Sequence, residues 1–155
     1  MAIEDLYREI ILDHYARPRN KGTLEPADIK VEGTNPLCGD ELSIFVRVAG
    51  DKITHARFVG RGCSISQASA SMMTEQVIGK TLAEARSLVG RFKAMMHGAA
   101  VGEDELGELM ALQGVRKFPV RVKCATLSWV ALEQGVEEFE AGQKRVEAKA
   151  TSEVE

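Results

Sequence analysis

The chain has 155 residues, 45% of them hydrophobic and 28% charged, which is the composition of one globular domain with its own core. Its formal charge of −3 and aromatic content of 5% argue against nucleic-acid binding, which uses basic surfaces and stacking side chains. No apolar run reaches the roughly 20 residues that span a bilayer. The first residues are acidic where a signal peptide is basic, so we expect a cytoplasmic protein.

The first third of the chain predicts one helix followed by strands. Residues 3–16 have apolar side chains at spacings of three and four, which is typical of an amphipathic helix. Strand patterns follow over 29–34, 41–48 and 52–59, and the turn residues 49–51 predict a hairpin between the last two. We therefore expect a small three-stranded antiparallel sheet.

The rest of the chain is predicted to be helical. Its expected helices are 64–78, 82–96 (after a capping box at 81–84), 103–112 and 125–139. Residues 118–123 are predicted to be extended, because Pro119 restrains itself and the residue before it. Residues 143–155 are polar and are expected to form a frayed tail. The chain should thus be a single α+β domain over 1–142, with helices packed on the sheet.

The three cysteines are the strongest functional signal. Cys38 lies in a predicted turn with Asp40, Cys63 follows the third strand, and Cys124 directly precedes the last predicted helix. An odd number of cysteines argues against a disulfide framework. Three thiolates and one carboxylate supply the four ligands of a tetrahedral zinc site, but thiolates also hold the iron of an iron–sulfur cluster. The spacing of the cysteines does not decide between these two.

Local sequence favours ligand roles for these residues. Gly39 permits a bent backbone that directs Cys38 and Asp40 to one ion. Cys63 and Cys124 are both predicted at helix N-termini, where free amide groups stabilise a thiolate. The alternatives are that each cysteine is a small buried hydrophobe and that Asp40 caps a turn.

The histidines and the acidic segment receive no functional role from their sequence context. His14 on the first helix, His55 and His97 are each interpreted as packed or exposed rather than as ligands. The acidic segment 103–108 is interpreted as a solvated helix face.

Three segments resemble the motifs of one family. They are Asn-Pro-Leu-Cys-Gly-Asp at 35–40, Gly-Arg-Gly-Cys-Ser-Ile-Ser-Gln-Ala-Ser-Ala-Ser at 60–71, and Arg-Val-Lys-Cys-Ala-Thr-Leu-Ser-Trp at 121–129. In this order they resemble the U-type iron–sulfur cluster assembly proteins, the superfamily of IscU, SufU and the NifU N-terminal domain. The resemblance covers residues 4–140 and implies an α+β fold with a three-stranded antiparallel sheet. The metal ligands that it implies are Cys38, Asp40, Cys63 and Cys124.

Three departures from the scaffold pattern make the chain most similar to the SufU subfamily. Lys123 stands directly before the last cysteine, where the classical scaffolds have histidine. The segment that begins at Phe118 differs from their chaperone-binding segment, and the stretch between Cys63 and Cys124 is longer, with helical residues around 90–114. This likeness implies bound zinc, a cysteine desulfurase of the SufS type as partner, and downstream iron–sulfur assembly proteins that receive the sulfur.

The same likeness implies roles for single residues. Cys38 is implied as the acceptor of persulfide sulfur, because in SufU-type proteins a partner histidine is thought to replace it on zinc while Asp40 holds the metal. The expected function is therefore zinc-dependent sulfur transfer, as an accessory to the desulfurase rather than as a stand-alone enzyme. One alternative is a scaffold that holds iron or a [2Fe–2S] cluster on the same ligands, and another is a structural zinc adaptor.

Arg121 is the remaining candidate of the site. Three thiolates and a carboxylate around Zn²⁺ are formally negative, and Arg121 and Lys123 are placed in sequence to offset that charge. Arg121 could also pair with Asp40 when the ligand set changes. The alternative is that both belong to a solvated basic strip with Arg116 and Lys117.

Overall fold

The structure is a computed structural model that describes residues 3–142 and 145–151. Its elements in chain order are α1 (Ile3–Ala16), β1 (Ile29–Asn35), β2 (Asp40–Ala49), β3 (Lys52–Arg61), α2 (Ser64–Val77), α3 (Leu82–Met96), α4 (Glu103–Leu106), a 3-10 helix (Gly107–Lys117), α5 (Pro119–Gly142) and β4 (Val146–Thr151). Within those two ranges, none of the helices combines the length and the apolar character needed to cross a membrane. The α+β class predicted from the sequence is confirmed.

The sheet has four strands in the order β3-β2-β1-β4 and is mixed. β1, β2 and β3 pair antiparallel as predicted, but β4 adds to the free edge of β1 in parallel, with Val146 opposite Ile29. The prediction of a purely antiparallel three-stranded sheet is therefore wrong by one strand. The fourth strand comes from the segment that was expected to fray.

The prediction of a frayed tail over 143–155 is wrong for residues 146–151. Val146 and Ala150 are buried and Ala148 between them is half-buried, whereas Glu147 and Lys149 are exposed. This alternation is the two-residue period of a strand. The Val146 amide also donates to the Asp28 carbonyl at 2.8 Å. Positions 143, 144 and 152–155 of the predicted tail lie outside the described residues.

Helices pack on one face of the sheet around a continuous core. α5 lies against β1 and α2, and its Trp129 is fully buried. The indole stacks on Phe92 of α3 with ring centroids 4.5 Å apart, and Nε1 donates to Ser69 Oγ of α2 at 3.0 Å. Because Trp129 satisfies its polar atom while filling the core, it fixes α5 relative to α2 and α3.

Two predicted boundaries in the helical half are corrected. Residues 118–123 are helical from Pro119 onward, because proline is well suited to the first turn of a helix, where its missing N–H has no partner. Cys124 therefore lies in the second turn of α5 instead of before it. The predicted helix 103–112 is the short α4 followed by the 3-10 helix. The predictions for α1, α2 and α3 are confirmed, including the capping box between Thr81 and Glu84.

Candidate metal centre

The four residues predicted as ligands come from three separate parts of the fold. Cys38 and Asp40 lie at the turn between β1 and β2, Cys63 lies between β3 and α2, and Cys124 lies on α5. The Sγ atoms of Cys38 and Cys124 and a carboxylate oxygen of Asp40 are all within 4.8 Å of one another. The Cys63 thiol joins this group through a hydrogen bond with the Cys124 thiol. All three cysteines are free.

The turn that bears Cys38 is closed by the backbone of Asn35. The Asn35 carbonyl accepts from the amides of Cys38 and Gly39, at 3.2 and 2.8 Å. Gly39 has φ +73°, in the left-handed region that other residues avoid. The predicted bend across Gly39 is therefore confirmed, and it directs Cys38 and Asp40 to the same place. Cys38 is half-buried, and the neighbouring Leu37 is exposed.

The Asp40 carboxylate is buried and accepts from a backbone amide, a hydroxyl and a side-chain amide. Oδ1 accepts from the Cys63 amide at 2.9 Å and from Ser66 Oγ at 3.2 Å, while Oδ2 accepts from Asn35 Nδ2 at 3.2 Å. Two of these donors belong to the start of α2, where a carboxylate is favoured by the helix dipole. Asp40 thus joins β2 to the N-terminus of α2. The alternative that Asp40 only caps a turn does not account for these two contacts.

Gly62 allows the backbone to approach this carboxylate. A Cβ at position 62 would lie 2.3 Å from Asp40 Oδ1 and 2.7 Å from Ser66 Oγ. Both distances are shorter than van der Waals contact. The glycine is therefore required by the shape of the site, because any side chain would displace Asp40 or Ser66.

The pKa of the Cys63 thiol is lowered, whereas that of the Cys124 thiol is raised. The pKa of Cys63 is lowered to about 5, first by the hydrogen bond from the Cys124 thiol and then by backbone amides of Ser66 and Ile65 at the start of α2. Burial opposes this shift. The prediction that Cys63 lies at a helix N-terminus is confirmed, since Cys63 is the N-cap residue of α2.

Cys124 behaves in the opposite way. Its pKa is raised above the usual range of a thiol, first by its hydrogen bond with Cys63, next by burial, and then by hydrogen bonds with Cys38 and Asp40. Asn35 Nδ2 lies 3.5 Å from Cys124 Sγ and donates to it. The predicted placement of Cys124 at a helix N-terminus is wrong, so the helix dipole does not explain its chemistry. Without a metal, Cys63 carries the charge and Cys124 keeps the proton.

Arg121 contacts two of the thiols from the exposed side of the site. The Cys63 thiolate raises the pKa of the Arg121 guanidinium, which also hydrogen-bonds to Cys63 and Cys124. The Asp40 oxygens accept from Cys63, Ser66 and Asn35 in this state, and pairing of Arg121 with Asp40 on a change of the ligand set stays a prediction. Arg121 thus lies where it can offset the charge of the thiolates.

The other basic residues of the predicted strip lie elsewhere. Arg116 Nη1 donates to the Met95 carbonyl at 3.3 Å, and Lys123 lines a cleft together with Arg116 and His97. Arg121 is therefore a basic residue of this strip that the structure links to the thiols.

Two residues of the site had no predicted role. Asn35 donates to both Asp40 and Cys124, and Ser66 donates to Asp40. Asn35 Oδ1 is also a buried atom without a hydrogen-bond partner. The sequence signal for Asn35 was a polar residue at the end of a predicted strand. That signal does not identify its partner Cys124, which lies 89 positions away.

The donor set fits a thiophilic metal. Two thiols and a carboxylate oxygen converge, and a third thiol hydrogen-bonds to one of them. Hydrogen bonds from Asn35 and Ser66 orient the carboxylate. Such ligands suit zinc or iron, and they do not suit magnesium or calcium, which prefer oxygen. The fold and these donors define the chain as an α+β domain with a thiol-rich metal-ligating group.

Comparison with known proteins identifies the family. The sequence model described as the NifU-like N terminal domain matches residues 6–146. The chain is 50% identical over 141 residues to the zinc-dependent sulfurtransferase SufU of Bacillus subtilis (strain 168), covering 90% of this chain and 95% of the relative. The chain belongs to the family of NifU-like N-terminal domains, as the resemblance of its three cysteine motifs predicts.

Two further relatives bear names from iron–sulfur cluster assembly. The chain is 44% identical over 135 residues to the iron–sulfur cluster assembly scaffold protein IscU of Streptococcus pyogenes serotype M1, covering 86% of this chain and 84% of the relative. A solved structure from Fervidobacterium islandicum AW-1, titled as a scaffold protein for the SUF system, superposes with a TM-score of 0.81 at 38% identity. That match covers 87% of this chain and 99% of the other.

Proposed function

We propose that this chain takes part in iron–sulfur cluster assembly by accepting persulfide sulfur on Cys38 from a cysteine desulfurase of the SufS type. Zinc would be held by Cys38, Asp40, Cys63 and Cys124. The likeness to the B. subtilis protein, whose name specifies zinc and sulfur transfer, supports this proposal. Downstream iron–sulfur assembly proteins would receive the sulfur.

The observation that carries the proposal is the different anchoring of the three thiols. Cys124 is buried within α5, and the Cys63 amide is bound by Asp40 at the start of α2. Cys38 is half-buried in a turn whose neighbours Leu37 and Gly39 are exposed. Cys38 is therefore the thiol that a sulfur carried by another protein can reach with the least rearrangement.

The transfer step needs no oxidant. The Cys38 thiolate attacks the outer sulfur of the desulfurase persulfide, a new S–S bond forms on Cys38, and the original S–S bond breaks. The desulfurase cysteine leaves as a thiolate and takes up a proton. Bound zinc supplies redox-inert charge that keeps the cysteines deprotonated at neutral pH.

The remaining residues keep the site in order during the transfer. Asn35 and Ser66 hold the Asp40 carboxylate, so that it stays oriented when Cys38 leaves the cluster. Arg121 offers a cation to the charge that remains on Cys63 and Cys124.

The test is to locate the transferred sulfur. Zinc-loaded protein is incubated with desulfurase and cysteine, the persulfide is trapped by alkylation, and the modified peptide is identified by mass spectrometry. We expect the additional sulfur on Cys38, and we expect Cys38→Ala to abolish stimulation of the desulfurase. Sulfur trapped on Cys63 or Cys124 instead, or full stimulation by Cys38→Ala, would rule out Cys38 as the acceptor. The zinc content of Cys38→Ala is measured in parallel, so that loss of metal is distinguished from loss of the acceptor.

A second candidate function is a scaffold that receives a [2Fe–2S] cluster as cargo on the same four residues. The likeness to the S. pyogenes scaffold protein and the thiol-rich donor set favour it. Anaerobic reconstitution separates the two functions. Stable visible charge-transfer bands followed by cluster transfer to an acceptor protein would support the scaffold, whereas a colourless protein with one tightly held zinc would support sulfur transfer.

A further inference from the structure

A second group of possible metal ligands lies on the other half of α2. It consists of His14 on α1, Glu75 on α2 and Glu108 on the 3-10 helix, and one ligand atom of each lies within 4.8 Å of the others. None of the three residues contributes to the thiol cluster. Three elements that are distant in sequence thus bring one imidazole and two carboxylates together.

The imidazole is buried, but its Nε2 atom lies beside two carboxylates that reach solvent. His14 is 1% exposed, whereas the side chains of Glu108 and Glu75 are 53% and 43% exposed. Nε2 lies 2.9 Å from Glu108 Oε1 and 3.7 Å from Glu75 Oε1. A small cation from solvent can therefore reach a position between the three atoms without opening the core.

Ser71 can set the tautomer of His14 that a metal requires. Ser71 Oγ lies 2.8 Å from His14 Nδ1 and accepts from the Arg19 amide at 2.8 Å. A hydroxyl oxygen has two lone pairs, so Ser71 Oγ can accept Nδ1–H as well. The lone pair of Nε2 then points at the two carboxylates, and such a hydrogen bond to the distal nitrogen is what orients metal-bound histidines.

The charges around His14 leave room for a cation. Among the residues that the structure describes there, three carboxylates face two guanidinium groups: Asp13, Glu75 and Glu108 against Arg17 and Arg19. Arg19 is shared, because its pKa is raised first by the hydrogen bond to Asp13 and less by Glu75 and Glu108. The described carboxylates around the imidazole therefore outnumber the guanidinium groups.

We propose that His14, Glu75 and Glu108 bind a divalent transition-metal ion at a second site, separate from the thiol cluster. Ligand atoms bound tetrahedrally at about 2.0–2.1 Å lie roughly 3.3 Å apart, and the two distances from Nε2 fall on either side of this value. One imidazole and two carboxylates suit Zn²⁺, Co²⁺, Fe²⁺ or Mn²⁺. The bound ion joins the 3-10 helix to α1 and α2. This proposal does not depend on the proposed function.

The test uses Co²⁺ as the probe on full-length protein whose thiol cluster is loaded with one equivalent of zinc. Cobalt bound by nitrogen and oxygen shows d–d absorption without the thiolate-to-cobalt charge-transfer band, so the spectrum reports which site is filled. We expect Glu75→Gln and Glu108→Gln to weaken this binding at least about tenfold. Glu105→Gln, which makes the same charge change in the neighbouring segment, serves as the control and should bind like the wild-type chain.

A second measurement reports the location of the ion without absorption. Zn²⁺ added beyond the first equivalent should slow amide hydrogen exchange in Gly107–Lys117 of the wild-type chain but not of Glu108→Gln. Equal cobalt affinity in all four proteins would overturn the proposal, and so would charge-transfer absorption from the added cobalt. Absence of any binding by the wild-type chain would mean that a proton or Arg19 alone balances the carboxylates, which also overturns it.

Discussion

A group of proposed metal ligands lies near each end of α2, and the two groups are built differently. At the N-terminal end, Cys63 and Ser66 bind the buried Asp40 carboxylate, and the hydrogen bonds of the site are internal. In the C-terminal half, Ser71 holds the buried His14 ring, but the carboxylates beside it are about half exposed. Burial of the anionic ligands is thus the main difference.

This difference in burial determines how strongly the carboxylates of each group contribute to the stability of the fold. A buried carboxylate that satisfies several donors contributes to stability even without a metal, because its removal leaves those donors unpaired. Exposed carboxylates lose little when they are changed, since water replaces them. We therefore expect mutations at the first end to change stability and metal binding together, and mutations at the second end to change metal binding alone.

The largest effect should come from comparing Asp40→Ala with Glu108→Gln. Asp40→Ala leaves the Cys63 amide, Ser66 Oγ and Asn35 Nδ2 without their acceptor, which should cost at least about 3 kcal/mol of unfolding free energy. Glu108→Gln should change it by no more than about 0.5 kcal/mol, because the side chain is about half exposed and its new amide group can donate to His14 Nε2. Urea unfolding of both metal-free proteins gives the two values. Equal losses would break the comparison.

The contrast also shows which parts of the site were accessible from sequence. Cys38, Gly39, Asp40 and Cys63 occupy turns and element ends with local signals, and their placement follows from those signals. The role of Asn35 does not, because its donation to Cys124 depends on the packing of α5 against β1. His14 is a stronger example, since its partners Ser71 and Glu108 lie 57 and 94 positions away.

The fold shows the same limit. The helices α1 to α3 and the hairpin have strong local periodicity and turn residues, and their predictions are confirmed. β4 is a short polar strand whose two buried side chains gain their environment from β1, so its stability is a tertiary effect. The prediction of an extended segment over 118–123 is wrong from Pro119 onward, because the restrained backbone of proline also fits the first turn of a helix.

A smaller effect should follow from adding one methyl group beside the Asp40 carboxylate. Gly62→Ala places a Cβ 2.3 Å from Asp40 Oδ1, so either the carboxylate or the β3–α2 backbone must move. We expect a loss of about 1–3 kcal/mol in unfolding free energy together with weaker zinc binding. Thermal unfolding and competition with a chromophoric chelator measure the two quantities.

Gly90→Ala is the matched control for this change. Gly90 lies on an exposed position of α3 with open space around it, so alanine should stabilise the protein by about 0.5–1 kcal/mol and leave zinc binding unchanged. Equal changes of unfolding free energy and zinc binding in Gly62→Ala and Gly90→Ala would contradict this prediction. The close packing around Asp40 would then not be the link between the thiol cluster and stability.

The smallest expected effect is that of Arg121, an exposed residue of the thiol site, on the pKa of Cys63. It is measured in metal-free, reduced protein. The pKa of Cys63 is lowered to about 5, so its thiolate is present above that pH and is lost as the pH falls through it. Alkylation of Cys63, followed by peptide mass spectrometry, should therefore be independent of pH from about 6 upward and should decline below 5. A thiol with an ordinary pKa of about 8.5 would still gain reactivity between pH 6 and 8.

Arg121→Gln should raise the midpoint of this alkylation profile, because the guanidinium stabilises the charged form of Cys63 from the solvent side. An exposed ion pair contributes about 0.2–1 kcal/mol, which corresponds to a shift of about 0.2–0.7 pH units. Lys117→Gln removes a charge from the neighbouring basic strip and should leave the midpoint in place. Equal shifts in both variants would mean that the general basic potential acts on Cys63, whereas a shift in Arg121→Gln alone shows that direct contact does. By linkage, the loss of this contact should lower the unfolding free energy at neutral pH by no more than the same amount of about 0.2–1 kcal/mol, which is well below the loss expected for Asp40→Ala.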